Sequence, residues 1–251
     1  MMIQMEKIRK VYRTQLVETH ALDNFDFVVE EGEFVSVMGP SGSGKTTFLN
    51  ILGLLDGFDQ GRYLLDGNDV ARLSDGDMSR IRNQKIGFIF QGFNLIPDLD
   101  VFDNVDVPLR YRGWSAAQRK AAIEEALAIV GLSSRLRHYP AQLSGGQQQR
   151  VAVARALAGQ PRLILADEPT GNLDSTMARE VMDLLEKINA GGTTIVMVTH
   201  DAEMSQRASR RVYLLDGKVI DMSMEPVRPL FDAEQAAHPA PPTARLAPSF
   251  A

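Results

Sequence analysis

The chain has 251 residues, 44% of them apolar and 24% charged, with a net charge of −5 and no cysteine. That length suits one α/β domain, or a core carrying a smaller inserted subdomain. The composition excludes disulfides and cysteine-based metal sites, agrees with a reducing cytosol, and disfavours a broad electrostatic grip on nucleic acid.

Taken in chain order, residues 1–12 carry charges throughout and have no apolar core of signal-peptide type. Residues 3–11 and 25–29 read as β segments joined by a polar stretch, and Phe34–Met38 as a short apolar strand. A glycine-rich turn follows, then a helix over residues 45–54. Residues 62–65 and Ile86–Phe90 are further strand candidates, separated by a polar segment at 66–85. From about 92 to 158 the chain reads as a mostly helical insertion, with amphipathic helices at 115–130 and 147–158. Residues 163–166 and 193–199 are compact apolar strands with a helix at 175–189 between them, and 212–215 with 218–220 resembles a terminal hairpin. Strand–helix alternation argues for a mainly parallel sheet with helices on its faces. The last 29 residues hold half of the 12 prolines and predict a disordered tail over 223–251. No window approaches the ~20 apolar residues of a spanning helix. Action at a membrane would therefore go through a partner.

Three segments carry chemistry. Gly39, Pro40, Ser41, Gly42, Ser43, Gly44, Lys45 and Thr46 match G-x-x-x-x-G-K-[ST] in full, after a strand and at the start of a helix, with Thr47 next. Glycines reach backbone angles that let amides converge on phosphate oxygens, and the helix N-terminus adds free N–H groups and a positive dipole end. Lys45 supplies a point charge for the β- and γ-phosphates, and the Thr46 hydroxyl can ligate Mg²⁺. The apolar run 163–166 ends in Asp167 and Glu168. At the carboxyl end of a strand, Asp167 would face that metal, while Glu168 could polarise an attacking water. Leu143, Ser144, Gly145, Gly146 and Gln147 stand directly before a helix. Local physics leaves two readings equally open there, an ordinary Ser-Gly-Gly turn and a second anion site at a helix N-terminus.

Leu143-Ser144-Gly145-Gly146-Gln147, about 100 residues after the phosphate loop and shortly before the Asp-Glu strand, resembles the ABC-ATPase family over about residues 3–222. The resemblance implies an α/β fold of the P-loop NTPase (RecA-like) type with an N-terminal antiparallel β part and an inserted helical subdomain. It implies ATP and Mg²⁺ as ligands and an ATP-dependent homodimer, in which Ser144–Gln147 of one copy closes over the phosphate held by the other. Gln91 then matches the glutamine loop and a metal ligand, Asp174 the loop crossing the dimer interface, and His200 the histidine near the γ-phosphate. Tyr12 matches the aromatic that stacks on adenine, against the alternative of a core aromatic. His20 and His138 match no catalytic element and read as structural or surface residues. Met38, Met182 and Met197 read as core filler.

Residues 82–97, 147–150 and 166–175 are similar to one branch of that family, which holds macrolide exporters, lipoprotein-release ATPases and related antimicrobial-peptide and cell-division systems. The branch implies a separate permease with four membrane helices and a large extracytoplasmic domain, at the cytoplasmic face of a bacterial inner membrane. The exposed apolar stretch 93–97 is expected in that contact. Lacking a membrane segment, the chain does not read as a fused exporter. Two rival classes, a soluble ABC ATPase of DNA repair or translation and a P-loop regulator without turnover, are opposed by the single module and by the intact Asp167–Glu168 pair.

Overall fold

The computed structural model describes residues 1–13 and 17–221; the tail expected at 223–251 lies outside them. The strands are β1 (Ile3–Arg13), β2 (Glu18–Val29), β3 (Phe34–Met38), β4 (Gln60–Leu65), β5 (Asn68–Asp69), β6 (Ile86–Phe90), β7 (Leu163–Asp167), β8 (Thr194–Val198), β9 (Arg210–Leu215) and β10 (Lys218–Asp221). The helices are α1 (Lys45–Leu52), α2 (Asp75–Lys85), α3 (Val101–Asp106), α4 (Ala116–Ile129), α5 (Gly145–Leu157), α6 (Ser175–Ala190) and α7 (Ala202–Ser205). β10, β9, β3, β8, β7 and β6 form the larger sheet in that order, parallel throughout except for the β9–β10 hairpin. β2, β1, β4 and β5 form a separate antiparallel sheet.

β3, β7 and β8 are almost wholly buried. Strands covered on both faces read as continuous apolar runs, which is why their sequences show no alternation. Beneath one face, α1 lies between the two sheets. Phe48 packs its ring 5.2 Å from Phe25 and 4.9 Å from Phe27, and Leu49, Ile51 and Leu52 fill the same core as residues of β3, β7, β8 and β9. The buried Tyr63 hydroxyl donates to the Leu52 carbonyl at 2.8 Å, closing the C-terminal end of α1. A second core joins the opposite face of the large sheet to α3, α4, α5 and α6.

Several boundaries differ from expectation. β2 begins at Glu18, well before residue 25, because it pairs with β1 through backbone bonds that polar side chains do not interrupt. α1 ends at Leu52, ahead of residue 54, and Gly53 is tight against Phe88, where a Cβ would lie 2.6 Å from the ring. The polar segment 66–85 contains α2, which has no fully buried residue and packs only Met78 and Ile81 against the core. Ser74 caps it, Asp75 and Asp77 lie in its first turn and Arg82 and Lys85 in its last; such a helix has no apolar period to detect. α5 begins at Gly145, two residues early. Between β6 and α3 the buried Asn104 side chain accepts from the Ile96 amide and donates to the carbonyls of Ile96, Leu99 and Asp100, so one amide shapes that loop.

Candidate nucleotide-binding site

Four adjacent parallel strands, β3, β8, β7 and β6, deliver Gly39, His200, Asp167–Glu168 and Gln91 at their carboxyl ends, where ligands of such sheets gather. After β3 the chain needs glycine for steric reasons. Gly39 has φ 156° and a Cβ there would strike the Leu214 carbonyl oxygen. Gly42 (φ 79°) and Gly44 (φ 101°) lie in the left-handed region, and a Cβ on Gly44 would strike the Ala21 carbonyl. Gly44 caps α1 with no side-chain hydrogen bond, so the first amides of α1 stay open. Lys45 Nζ donates to the carbonyls of Gly39 and Pro40 at 2.7 and 2.8 Å. Its charge is thus held inside the loop it would share with a phosphate.

A cleft of about 680 Å³ is lined by Tyr12, Gly39, Pro40, Ser41, Gly42, Gly44, Lys45, Thr46, Thr47, Gln91, Asp167, Glu168 and His200. Its size falls within the range of small-molecule sites. Ser43 lies beneath it, buried, with an Oγ that has no partner among the described residues. His200 Nδ1 stands 2.5 Å from Glu168 Oε2, so the base and histidine candidates form one pair. Glu168 has φ 48°, a left-handed angle unfavourable for a glutamate, while its amide donates to the Val198 carbonyl at 2.8 Å. The adjacent Asp167 is half-buried, and its pKa is raised by burial and by the Glu168 charge, with Lys45 opposing. A carboxylate in that position, in one cleft with the Thr46 hydroxyl, fits a hard cation such as Mg²⁺.

Tyr12 is 43% exposed at the cleft mouth, which removes the core-aromatic alternative. Its hydroxyl donates to Asp56 Oδ2 at 2.7 Å, Lys10 Nζ donates to Asp56 Oδ1 at 2.8 Å, and Lys10 lies 5.0 Å from the ring centroid. The ring is therefore anchored at its hydroxyl, with Lys10 over it and part of its surface exposed at the cleft mouth. His20, read as a structural or surface residue, is exposed and also lines this cleft. The expected residues Ser144, Gly145, Gly146, Gln147 and Asp174 do not line the cleft. Ser144 caps α5 in a reciprocal box, with the Gln147 amide donating to Ser144 Oγ at 3.3 Å and the Ser144 amide to Gln147 Oε1 at 3.0 Å. Asp174 caps α6, accepting from the amides of Thr176 and Met177. Gln91 is exposed and engaged with Asn172, its Nε2 donating to Asn172 Oδ1 at 3.4 Å while Asn172 Nδ2 returns a 2.9 Å bond to the Gln91 carbonyl.

The family described as ABC transporter matches residues 22–171, more than half of the chain. An uncharacterised ABC transporter ATP-binding protein of Thermotoga maritima is 49% identical over 210 residues, spanning 84% of this chain and 90% of that protein. The chain belongs to the ABC transporter ATP-binding family. The macrolide export ATP-binding/permease protein MacB of Paracoccus denitrificans is 49% identical over 199 residues, 79% of this chain but 30% of that longer protein. A solved dimeric, post-hydrolysis state of the ATP-binding cassette MJ0796, bound to ADP and Pi, superposes with a TM-score of 0.80 at 45% identity, covering 87% of this chain and 96% of that one. The fold is therefore the α/β P-loop cassette of ABC ATPases, with a mixed large sheet and an antiparallel N-terminal sheet, and the chain is an ATPase of that type.

This ABC ATPase carries a second, larger cleft of about 870 Å³, away from the phosphate loop. It lies between α2–β6 and the segment following α3, and Leu55, Phe88, Ile96 and Tyr111 line it with Arg112 and Arg155. Arg155 donates to the Phe93 and Asn94 carbonyls, both residues having left-handed angles. The segment after β6 thus borders both clefts, with Gln91 in the first and Asn94 and Ile96 in the second. Asp56, Lys10, His20 and Asn172 are the site residues that sequence reasoning missed. Their partners lie 44, 46, 11 and 81 positions away along the chain in the bonds Tyr12–Asp56, Lys10–Asp56, Arg9–His20 and Gln91–Asn172, and no local pattern marks them.

Proposed function

We propose that two copies of this chain close head to tail around ATP and, through that closure, drive a separate membrane permease. The observation that carries the reading is the separation of two ligand-recognition elements. The phosphate loop, Asp167, Glu168 and His200 share one cleft, whereas the Ser144 helix end lies outside it. Each chain then offers two half-sites, and a symmetric pair completes two sites.

Gly39–Thr47 binds the phosphates by backbone amides and by Lys45, which exchanges its Gly39 and Pro40 carbonyls for phosphate oxygens. Tyr12 offers its exposed ring surface to the base. Thr46 and Asp167 would hold Mg²⁺, joined by Gln91 once it leaves Asn172. When bound, the metal supplies charge neutralisation for in-line phosphoryl transfer. Glu168 orients the attacking water and accepts its proton, and His200 keeps the Glu168 carboxylate in place and faces the γ-phosphate. The partner's copy of the Ser144–Gln147 end closes over the same phosphate.

The helical region 92–158 transmits this change through Gln91. The 870 Å³ cleft with exposed Tyr111, Leu55 and Ile96 is where a permease segment would dock at the cytoplasmic membrane face. The resemblance of residues 82–97, 147–150 and 166–175 to the exporter branch favours a permease of the four-helix, large extracytoplasmic domain type, acting in efflux, lipoprotein release or mechanical transmission, and the net charge of −5 speaks against a nucleic-acid partner.

The test is complementation between two inactive variants, Ser144→Arg and Lys45→Ala, mixed in equal amounts. Head-to-tail pairing predicts activity above both parents, since a mixed dimer retains one intact site. Activity no higher than either parent counts against the arrangement. The chain has no cysteine, so Tyr111→Cys provides a unique cross-linking handle. Its product with the permease in native membranes checks the docking cleft.

A further inference from the structure

Gln149 is a glutamine with no exposed surface, on the helix α5 that begins at the Ser144 cap. Its Nε2 donates to the Pro169 carbonyl at 2.6 Å. Its Oε1 is buried with no partner among the described residues. A buried amide half satisfied in this way is not explained by stability, because the unpaired acceptor loses its hydration and gains nothing in return. The bond it does make falls on the residue directly after Glu168.

That location bears on the catalytic carboxylate. Glu168 sits at φ 48°, and a left-handed glutamate persists only where its surroundings over-determine it. Three bonds do so. The Glu168 amide donates to the Val198 carbonyl at 2.8 Å, the Gly171 amide donates to the Glu168 carbonyl at 3.0 Å, and Gln149 holds the next carbonyl along. The first two fix the residue from its own strand and turn. Gln149 reaches in from a different element, the helix whose N-terminal end is the Ser144–Gln147 segment. Releasing the Pro169 carbonyl frees the 169–170 peptide to rotate, and the Glu168 side chain loses its register with His200, now 2.5 Å away.

We propose that Gln149 is a positioning residue for hydrolysis, tying the aim of Glu168 to the signature helix of the same chain. This rests on the reading of Glu168 as the water-orienting base. Because α5 carries the half-site used by the partner's nucleotide, a tilt of α5 on closure at one site reaches the turn after the base of the other through this bond.

The test uses the full-length protein with Gln149→Leu, which keeps the volume and removes the donor, and Gln149→Asn, which keeps the amide and is too short to reach Pro169. Turnover, KM, ATP affinity, the MgATP-dependent dimer and the melting temperature are measured beside Glu168→Gln. The expected result is kcat lower by on the order of tenfold to a hundredfold, the loss that follows a misplacement of about 1 Å in a reacting group. ATP affinity and KM stay near wild type, the ATP-bound dimer accumulates, and the melting temperature is retained. A core-filling role would lower melting temperature and affinity together and leave no such split. Wild-type kcat in both variants, a parallel loss of kcat and affinity, or failure of both to fold would each overturn the proposal; if one alone fails to fold, the other decides. Full turnover in Glu168→Gln would instead remove the underlying reading of the base. An inactive Glu168→Gln beside fully active Gln149 variants removes only the role of Gln149.

Discussion

The chain makes two glycine-rich turns that each open a helix, and they end in opposite situations. At the start of α1, Gly44 is a cap without a side chain, its amides are open, and the helix behind it is locked between two sheets by Phe48 and its aromatic neighbours. At the start of α5, Ser144 and Gln147 cap one another, so the Ser144 and Gln147 amides are satisfied with no ligand present. An uncapped, rigidly held helix end is ready for an anion within one chain. A self-capped one is stable alone and contributes only when something brings the anion to it. The two elements share a local recipe and differ in what the rest of the fold places in front of them. Asp167, Glu168 and His200 share a cleft with the first, and the second lies outside that cleft.

Glu168→Gln should break this contrast most severely. Turnover should fall about 10²- to 10⁴-fold, the usual contribution of a general base. ATP binding should persist and an ATP-dependent dimer should accumulate on size exclusion; retained turnover would refute the role of Glu168. Next in size is Tyr12→Ala, which removes the stacking face at the ready half-site. Base stacking of roughly 1–3 kcal/mol predicts ATP binding weaker by about tenfold to a hundredfold by fluorescence titration, with kcat at saturating ATP largely kept. At the self-capped end, Ser144→Ala should reduce stability by about 1 kcal/mol in denaturant unfolding while leaving ATP binding to the single chain unchanged. Lost single-chain binding would mean the two ends are not separate.

The smallest effect is expected in the frame under both ends. Asp66 is a part-buried carboxylate whose pKa burial would raise, but the Lys85 hydrogen bond and the charges of Lys85 and Arg162 outweigh burial and hold it below its ordinary value. A depressed carboxyl pKa contributes stability above its unfolded value, and that stability is lost as pH falls through the folded value. Asp66→Asn keeps a residue tolerant of the left-handed angle at this position (φ 48°) and removes only the charge. It should lose about 1 kcal/mol or less at pH 7, given partly exposed partners, with the gap to wild type closing below about pH 4. A gap that does not shrink at all between pH 7 and pH 3 would show that packing, and not charge, is at stake.

The parallel strands of the large sheet were readable because each is a short apolar run bounded by turn residues, and the phosphate loop because its spacing is dictated by backbone geometry. α2 was not readable, since only Met78 and Ile81 pack against the core and none of its residues is fully buried. The early start of β2 was hidden because pairing with β1 runs through the backbone. In the site, Lys45, Thr46, Asp167 and Glu168 stood out by sequence context, and the structure gathers them in one cleft with Gln91, His200 and Tyr12. The supports of these residues did not stand out: Asp56 under Tyr12, Asn172 against Gln91 and Gln149 behind Glu168 are polar residues in ordinary surroundings until the chain is folded.

By itself, the order of residues determined the chemistry carried and the strand ends that carry it, because glycine conformations, helix starts and apolar runs are local properties that neighbouring residues settle. Only the tertiary structure decided which of those groups meet: that His200 stands beside Glu168, that Tyr12 stays exposed at the cleft mouth, and that the Ser144 end lies apart from the phosphate loop. Those facts depend on strand order in the sheet and on contacts between residues far apart in the chain, and no local spacing encodes them.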